Sequence, residues 1–207
     1  RQGDEISAGK LLHNLGSLAH AQNDLAKARS CYEESLACTT KFGNRWMKTG
    51  TLVGLGNVAY EQHDYEAARR YYDESLAIAK EIGEKSLMGY ALEGLGNVAR
   101  ETGNLEMARH FLRDSLTLRR QIGTKEGMLY SIDSIIQLCL AEGNSLLAVR
   151  LLAATRVLRD ALGMEYMPVE QNVFNRSLAM AAERMSSDAF DQAWIEGKKM
   201  TIDQAAK

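Results

Sequence analysis

Shifted by forty residues, the sequence lies on itself in four successive stretches. Leu15-Gly16 recurs as Leu55-Gly56 and Leu95-Gly96, then as Ile135-Ile136. Ala28 returns as Ala68, Ala108 and Ala148, and Ser35 as Ser75, Ser115 and Thr155. Gly43, Gly83, Gly123 and Gly163 close the stretches in the same phase. A fixed period of this length restricts the fold to an array, because each short unit must bury its apolar face against its neighbours.

Each unit reads as two helices. In the first, Leu52, Leu55, Val58 and Ala59 fall three or four apart, the spacing of one helical face. A polar break follows at Asn23-Asp24, His63-Asp64, Gly103-Asn104 and Gly143-Asn144. Asp or Asn at such a break caps the next helix, its side-chain oxygen accepting an unpaired amide hydrogen. The second helix, such as Tyr65 to Ile82, stops at a glycine suited to the left-handed conformation. A single proline, Pro168, agrees with a chain made of helices.

The string GLGNVA occurs at Gly54 to Ala59 and again at Gly94 to Ala99. It fits the glycine-rich loop that cradles a dinucleotide pyrophosphate, but that loop needs a strand before it and a helix opening after it. Here KTGTLV and MGYALE carry a helical pattern into both copies. Two glycines inside a helix cost roughly 2 kcal/mol against alanine. Close packing is the expected compensation, with Gly56 admitting the partner helix at Ala68.

These positions resemble the tetratricopeptide repeat (TPR): Leu-Gly in the first helix, a small alanine early in the second, and an aromatic four residues later. Tyr32 and Tyr72 supply that aromatic, and Leu112 and Leu152 stand in its place later. The resemblance covers residues 6 to 163 and departs at Ile135-Ile136. It implies an all-α fold, a right-handed α-solenoid of antiparallel helix pairs. Four units are expected, at about 6–43, 44–83, 84–123 and 124–163 of a domain spanning 1–163. A C-terminal helical capping segment, 164–207, follows and is expected to be truncated.

That segment carries a second resemblance. LLAATRVLRDALG, a proline-opened helix and AFDQAWIEGKKMTIDQAA look like the end of TPR regions in bacterial signal-transduction ATPases of the LuxR and maltose-regulator type. Phe190, Trp194, Glu196 and Gly197 carry the likeness, which implies a sensor or interaction arm rather than the ATPase. Read without the family, Pro168 suits a first helical turn. Ser187 is placed to cap a short helix, and Thr201 with Gln204 has the spacing of a capping box. The segment is expected to cover the apolar end of the array.

A formal charge of -2 gives no bulk attraction to nucleic acid, so direct DNA binding is not expected. No apolar run reaches the length that spans a bilayer, and no signal-peptide pattern opens the chain. Cys31, Cys38 and Cys139 are odd in number and lack C-x-x-C spacing. They are read as buried thiols of a reducing cytoplasm, with no metal site and no cofactor. No catalytic constellation emerges.

If the units coil as TPRs do, residues one step round from the Leu-Gly face line a concave groove. Unit one offers Lys10, His13, Ser17 and His20; unit two, Val53, Asn57 and Tyr60. Unit three offers Tyr90, Glu93, Asn97 and Arg100; unit four, Tyr130, Asp133 and Gln137. Asn57 and Asn97 resemble the groove asparagines that hold a peptide backbone, since an amide both donates and accepts. Hydrogen bonding to neighbouring helices is the open alternative. Val53, Glu93 and Asp133 stand where a lysine clamp would need cations, so capture of an acidic C-terminal tail is not expected. His13 and His20, two turns apart, read as solvated groove residues.

The expectation is a non-catalytic scaffold that binds a protein, a peptide or another domain of its parent chain. The alternative is a sensor of a sugar-like small molecule, resting on Tyr60, Tyr90 and Tyr130, or of a signalling peptide.

Overall fold

The computed structural model describes the backbone of residues 2–206 and the side chains of 7–167 and 169–206. Among the described residues there are eleven helices and no strand. They are α1 (Gln2–Ala21), α2 (Leu25–Lys41), α3 (Arg45–Glu61), α4 (Tyr65–Ile82), α5 (Lys85–Glu101), α6 (Leu105–Ile122), α7 (Lys125–Ala141), α8 (Ser145–Leu162), α9 (Pro168–Ala182), α10 (Ser187–Gly197) and α11 (Ile202–Ala205). The fold is all-α. Internal contacts divide the chain between Gly103 and Asn104 into two compact units.

The turns explain why the period holds. Asp24, Asp64, Asn104 and Asn144 each accept the amide hydrogen three residues on, at 3.1–3.2 Å. The residue before each cap has positive φ: Asn23 and His63 at 61°, Gly103 at 82° and Gly143 at 78°. α4, α6 and α8 end on glycines in the left-handed region, at φ 72°, 80° and 68°.

In the first unit α1 packs on α2, α3 on α4, and α5 on α4. The GLGNVA glycines lie inside α3 and α5, as the sequence predicts, but their partner is not Ala68. A Cβ added at Gly56 would fall 2.5 Å from Cε1 of Tyr72, and one at Gly94 would strike the same ring. Tyr32 sits likewise between Gly16 and Gly54, where added Cβ atoms would lie 2.8 and 2.6 Å from it. Each tyrosine is thus a wedge between two successive first helices, seated directly on helix backbone. Tyr32 and Tyr72 are 3% and 2% exposed.

The small hydroxyl residue of each unit has its own task. Ser35 Oγ donates to the Gly9 carbonyl at 2.9 Å, and Ser75 Oγ to the Thr49 carbonyl at 3.2 Å. These buried bonds tie the second helix of a pair to the first.

In the second unit, Ile136 and Leu152 share one core with Phe174, Ala193 and Ala205. Aliphatic bulk from both helices replaces the ring-on-glycine arrangement, so the loss of Leu-Gly at Ile135-Ile136 leaves α7 and α8 packed. α9 packs on α7 and α8, while α10 and α11 rest on α8. α9 opens at Pro168, and the Met167 amide donates to Glu170 Oε2 at 2.9 Å. Ser186 rather than Ser187 caps α10, accepting from the Ala189 amide at 3.3 Å. Thr201 and Gln204 form the expected reciprocal box, at 2.8 and 3.3 Å.

All three cysteines are free, but only Cys139 is buried; Cys31 and Cys38 are half-exposed, contrary to expectation. Burial pushes the Cys139 thiol up to about 11. Among the described residues, no helix is long and apolar enough to cross a membrane.

Candidate functional site

The forty-residue period assigns the sequence-selected residues to rows across the first helices. In the first unit the rows are Lys10, Gly50 and Tyr90; His13, Val53 and Glu93; Ser17, Asn57 and Asn97; His20, Tyr60 and Arg100. They lie on α1, α3 and α5, which pack side by side.

The third row is pinned by the tyrosine wedges. Tyr72 Oη donates to Asn57 Oδ1 at 2.7 Å, and Tyr32 Oη to Ser17 Oγ at 3.1 Å. The interior reading of Asn57 therefore holds for its oxygen, while its NH2 donates to no described residue. Asn97, half-buried, has a partner of its own. Ser17 Oγ also donates to the His13 carbonyl at 3.1 Å.

The last row is a polar ladder. His20 Nε2 lies 2.8 Å from Glu61 Oε1. Tyr60 Oη donates to Glu101 Oε1 at 3.3 Å and accepts from Arg100 Nη2 at 3.0 Å, while Arg100 Nη1 pairs with Glu101 at 2.8 Å. His20–Glu61 joins α1 to α3 and the two Tyr60 bonds join α3 to α5, while Arg100–Glu101 lies within α5. Burial lifts the Tyr60 phenol to about 12, so it stays protonated and remains a donor. The hydrogen bond to the Glu61 carboxylate raises the His20 pKa above its usual value.

His13 Nδ1 approaches Thr51 Oγ1 at 3.2 Å, and its ring leans on Tyr32 at 5.5 Å. Burial lowers its pKa, which favours the neutral ring. Neither His13 nor His20 is the solvated side chain the sequence suggested: both are half-buried and bound across to α3. Val53 and Glu93 are half-buried, Lys10 and Ser17 exposed, and Tyr90 is 45% exposed.

In the second unit, Tyr130, Asp133 and Gln137 lie on α7. Gln137 Nε2 donates to Ser177 Oγ of α9 at 2.8 Å. Asp133 is the counter-ion of Arg159, which is 1% exposed and also lies 3.8 Å from Glu170. The guanidinium stands over the Tyr166 ring at 4.5 Å and near the Tyr130 ring at 5.5 Å. Sequence reasoning missed Arg159. Its signal was the period itself, for Arg119 stands forty residues earlier, equally buried, donating to the Gly127 carbonyl at 2.5 Å.

The four residues behind the second resemblance all dock α10 on the array. Phe190 and Trp194 stack at 6.1 Å and enter the core. Glu196 pairs with Arg150 at 2.5 Å, and a Cβ at Gly197 would collide with the Arg150 carbonyl.

Paired helices on a fixed period, with polar side chains displayed along the first helix of each pair, define a helical-repeat scaffold. The family follows from comparison: residues 10–41 and 48–121 match two models described as tetratricopeptide repeat, so these stretches are tetratricopeptide repeats. Such repeats are protein-interaction scaffolds and typically non-catalytic. No curated protein matches the chain.

Proposed function

We propose that the chain is a non-catalytic recognition module whose first-helix face takes an extended protein segment, as the sensor or interaction arm of a larger bacterial regulator. In this reading four helix pairs end in a C-terminal segment that closes the array. The observation that carries it is the state of Asn57. Its oxygen is held by Tyr72 and its NH2 donates to no described residue, which leaves a positioned amide for a chain laid along α3. A main-chain carbonyl is the natural acceptor for it.

Tyr60 no longer favours a sugar-stacking role, since its ring is largely buried and its hydroxyl is engaged at both ends. The test is the double variant Asn57→Ala/Asn97→Ala. Peptides selected on the wild-type chain should lose affinity while helicity by circular dichroism stays the same. Unchanged affinity for every selected peptide would refute the assignment of this face.

A further inference from the structure

Three leucines of α1 stand in water where the later first helices are buried. Leu11, Leu15 and Leu18 fall four and three residues apart, on one helical face, and are 60%, 39% and 55% exposed. Forty residues on, Thr51, Leu55 and Val58 are buried, as are Ala91, Leu95 and Val98 of α5. In α7, Ser131 and Leu138 are buried and Ile135 is half-buried. On α3 the cover is the preceding helix pair. Leu55 and Val58 share a core with Ala19 of α1 and with Ala28 and Tyr32 of α2, and Ser35 Oγ lies 3.3 Å from Thr51 Oγ1. A terminal repeat that meets solvent carries a polar outer face, and the outer face of α1 is leucine.

The signature that opens the later first helices also stands at the start of α1. Gly43-Asn44, Gly83-Glu84 and Gly123-Thr124 recur at the period, and Gly3-Asp4 holds the same phase. In the later copies the glycine follows a second helix and the next residue caps a first one. Asn44, Glu84 and Thr124 accept amide hydrogens at the starts of α3, α5 and α7. Those helices are 17 residues each. α1 has 20 residues; it ends in phase with them at Ala21 but starts early, at Gln2, and runs through Gly3-Asp4. The sequence thus carries the junction between a second helix and α1.

We infer that the outer face of α1 takes a further helix pair, one that precedes it in the full-length polypeptide and lies on α1 as α1 and α2 lie on α3. The period also states what that pair carries. Tyr32 is followed 22 residues later by Gly54, and Tyr72 by Gly94, and each glycine receives the preceding ring. Leu112 is followed at the same distance by Ser134. Asn14 holds that phase on α1 and carries the Cβ that Gly54 and Gly94 lack, so a ring seated as Tyr32 is on Gly54 would collide with it. The covering helix therefore presents an aliphatic residue, not an aromatic one, at the position forty before Tyr32. The leucine face contains none of the residues assigned to peptide recognition, so its cover is independent of that reading.

The experiment extends the chain by the forty residues that precede Arg1 in the full-length polypeptide and compares it with the 207-residue chain. The added sequence should place Leu, Ile, Val or Met forty residues before Tyr32; an aromatic ring there would overturn the packing drawn from Asn14. Hydrogen exchange of the α1 amides should slow by roughly tenfold or more in the longer chain. Leu18→Ala should shift the melting temperature of the 207-residue chain by about 2 °C at most, because the side chain is exposed there. In the longer chain, where the leucine is covered, the same change should lower it by about 5 °C or more. Exchange unchanged by the extension, or a Leu18→Ala shift equally small in both chains, would overturn the inference. So would a dimer of the longer chain, seen by sedimentation and dissociated by Leu18→Ala, because the face would then belong to a second copy.

Discussion

The phenol of Tyr72 donates to Oδ1 of Asn57 at 2.7 Å, linking the second helix of a pair to the residue row on the first. The same ring is wedged between Gly56 and Gly94. One side chain therefore sets helix spacing and orients an amide on the recognition face. Tyr72→Phe keeps the wedge and removes the tether. It should cost about 1–2 kcal/mol, because the Asn57 oxygen loses its partner. A double-mutant cycle with Asn57→Ala should return a coupling of about 1 kcal/mol in urea unfolding; a coupling of zero would contradict the tether.

The glycines separate into two kinds that thermal unfolding can distinguish. Gly54→Ala and Gly94→Ala each gain about 1 kcal/mol of helix propensity. Each also drives a methyl group into a buried tyrosine, an overpacking cost of about 1–3 kcal/mol or more. A net loss of stability is expected at both sites. Gly50→Ala meets no such obstacle and should gain about 0.5–1 kcal/mol.

The two first-helix histidines predict opposite pH dependences. The folded-state pKa of His20 is raised by Glu61, so its contribution is full below the unfolded value and fades as pH rises through the folded one. His20→Gln should therefore lower the urea midpoint more at pH 6 than at pH 8.5. The effect should be small, about 0.2–1 kcal/mol, because Glu61 is solvent-accessible. His13 is depressed by burial, so its neutral form contributes above the unfolded value, and that contribution is lost as pH falls. The His13→Gln difference should shrink on acidification.

Arg159 and Asp133 are unequally buried, and their substitutions should be unequal too. Arg159 is 1% exposed and Asp133 33%. Asp133→Ala leaves a guanidinium without its main counter-ion and should cost about 3 kcal/mol. Arg159→Met leaves a carboxylate that water can reach and should cost less. Replacing both with apolar residues should recover much of the loss, as measured by chemical denaturation.

Much of this was legible in the residues. The forty-residue period, the Asp and Asn caps and the closing glycines all act locally, and their signals lie in adjacent residues. The wedges were not, because Ala68 and Tyr72 both stand at recurring positions and only the folded chain shows which one meets Gly56. The histidines misled for a related reason. Glu61 and Thr51 belong to the next repeat, and residues 41 and 38 positions away carry no pattern within α1. Arg159 hid among the surface cations, although Arg119 stands in the same phase and is likewise buried.

The central claim is that α1, α3 and α5 present the recognition surface of the first unit. Titrating the isotope-labelled chain with a display-selected peptide and following amide shifts by NMR tests it most directly. The largest perturbations are expected at Lys10, Val53, Asn57, Tyr90 and Asn97. Perturbations confined to α2 and α4, with those five positions silent, would contradict it.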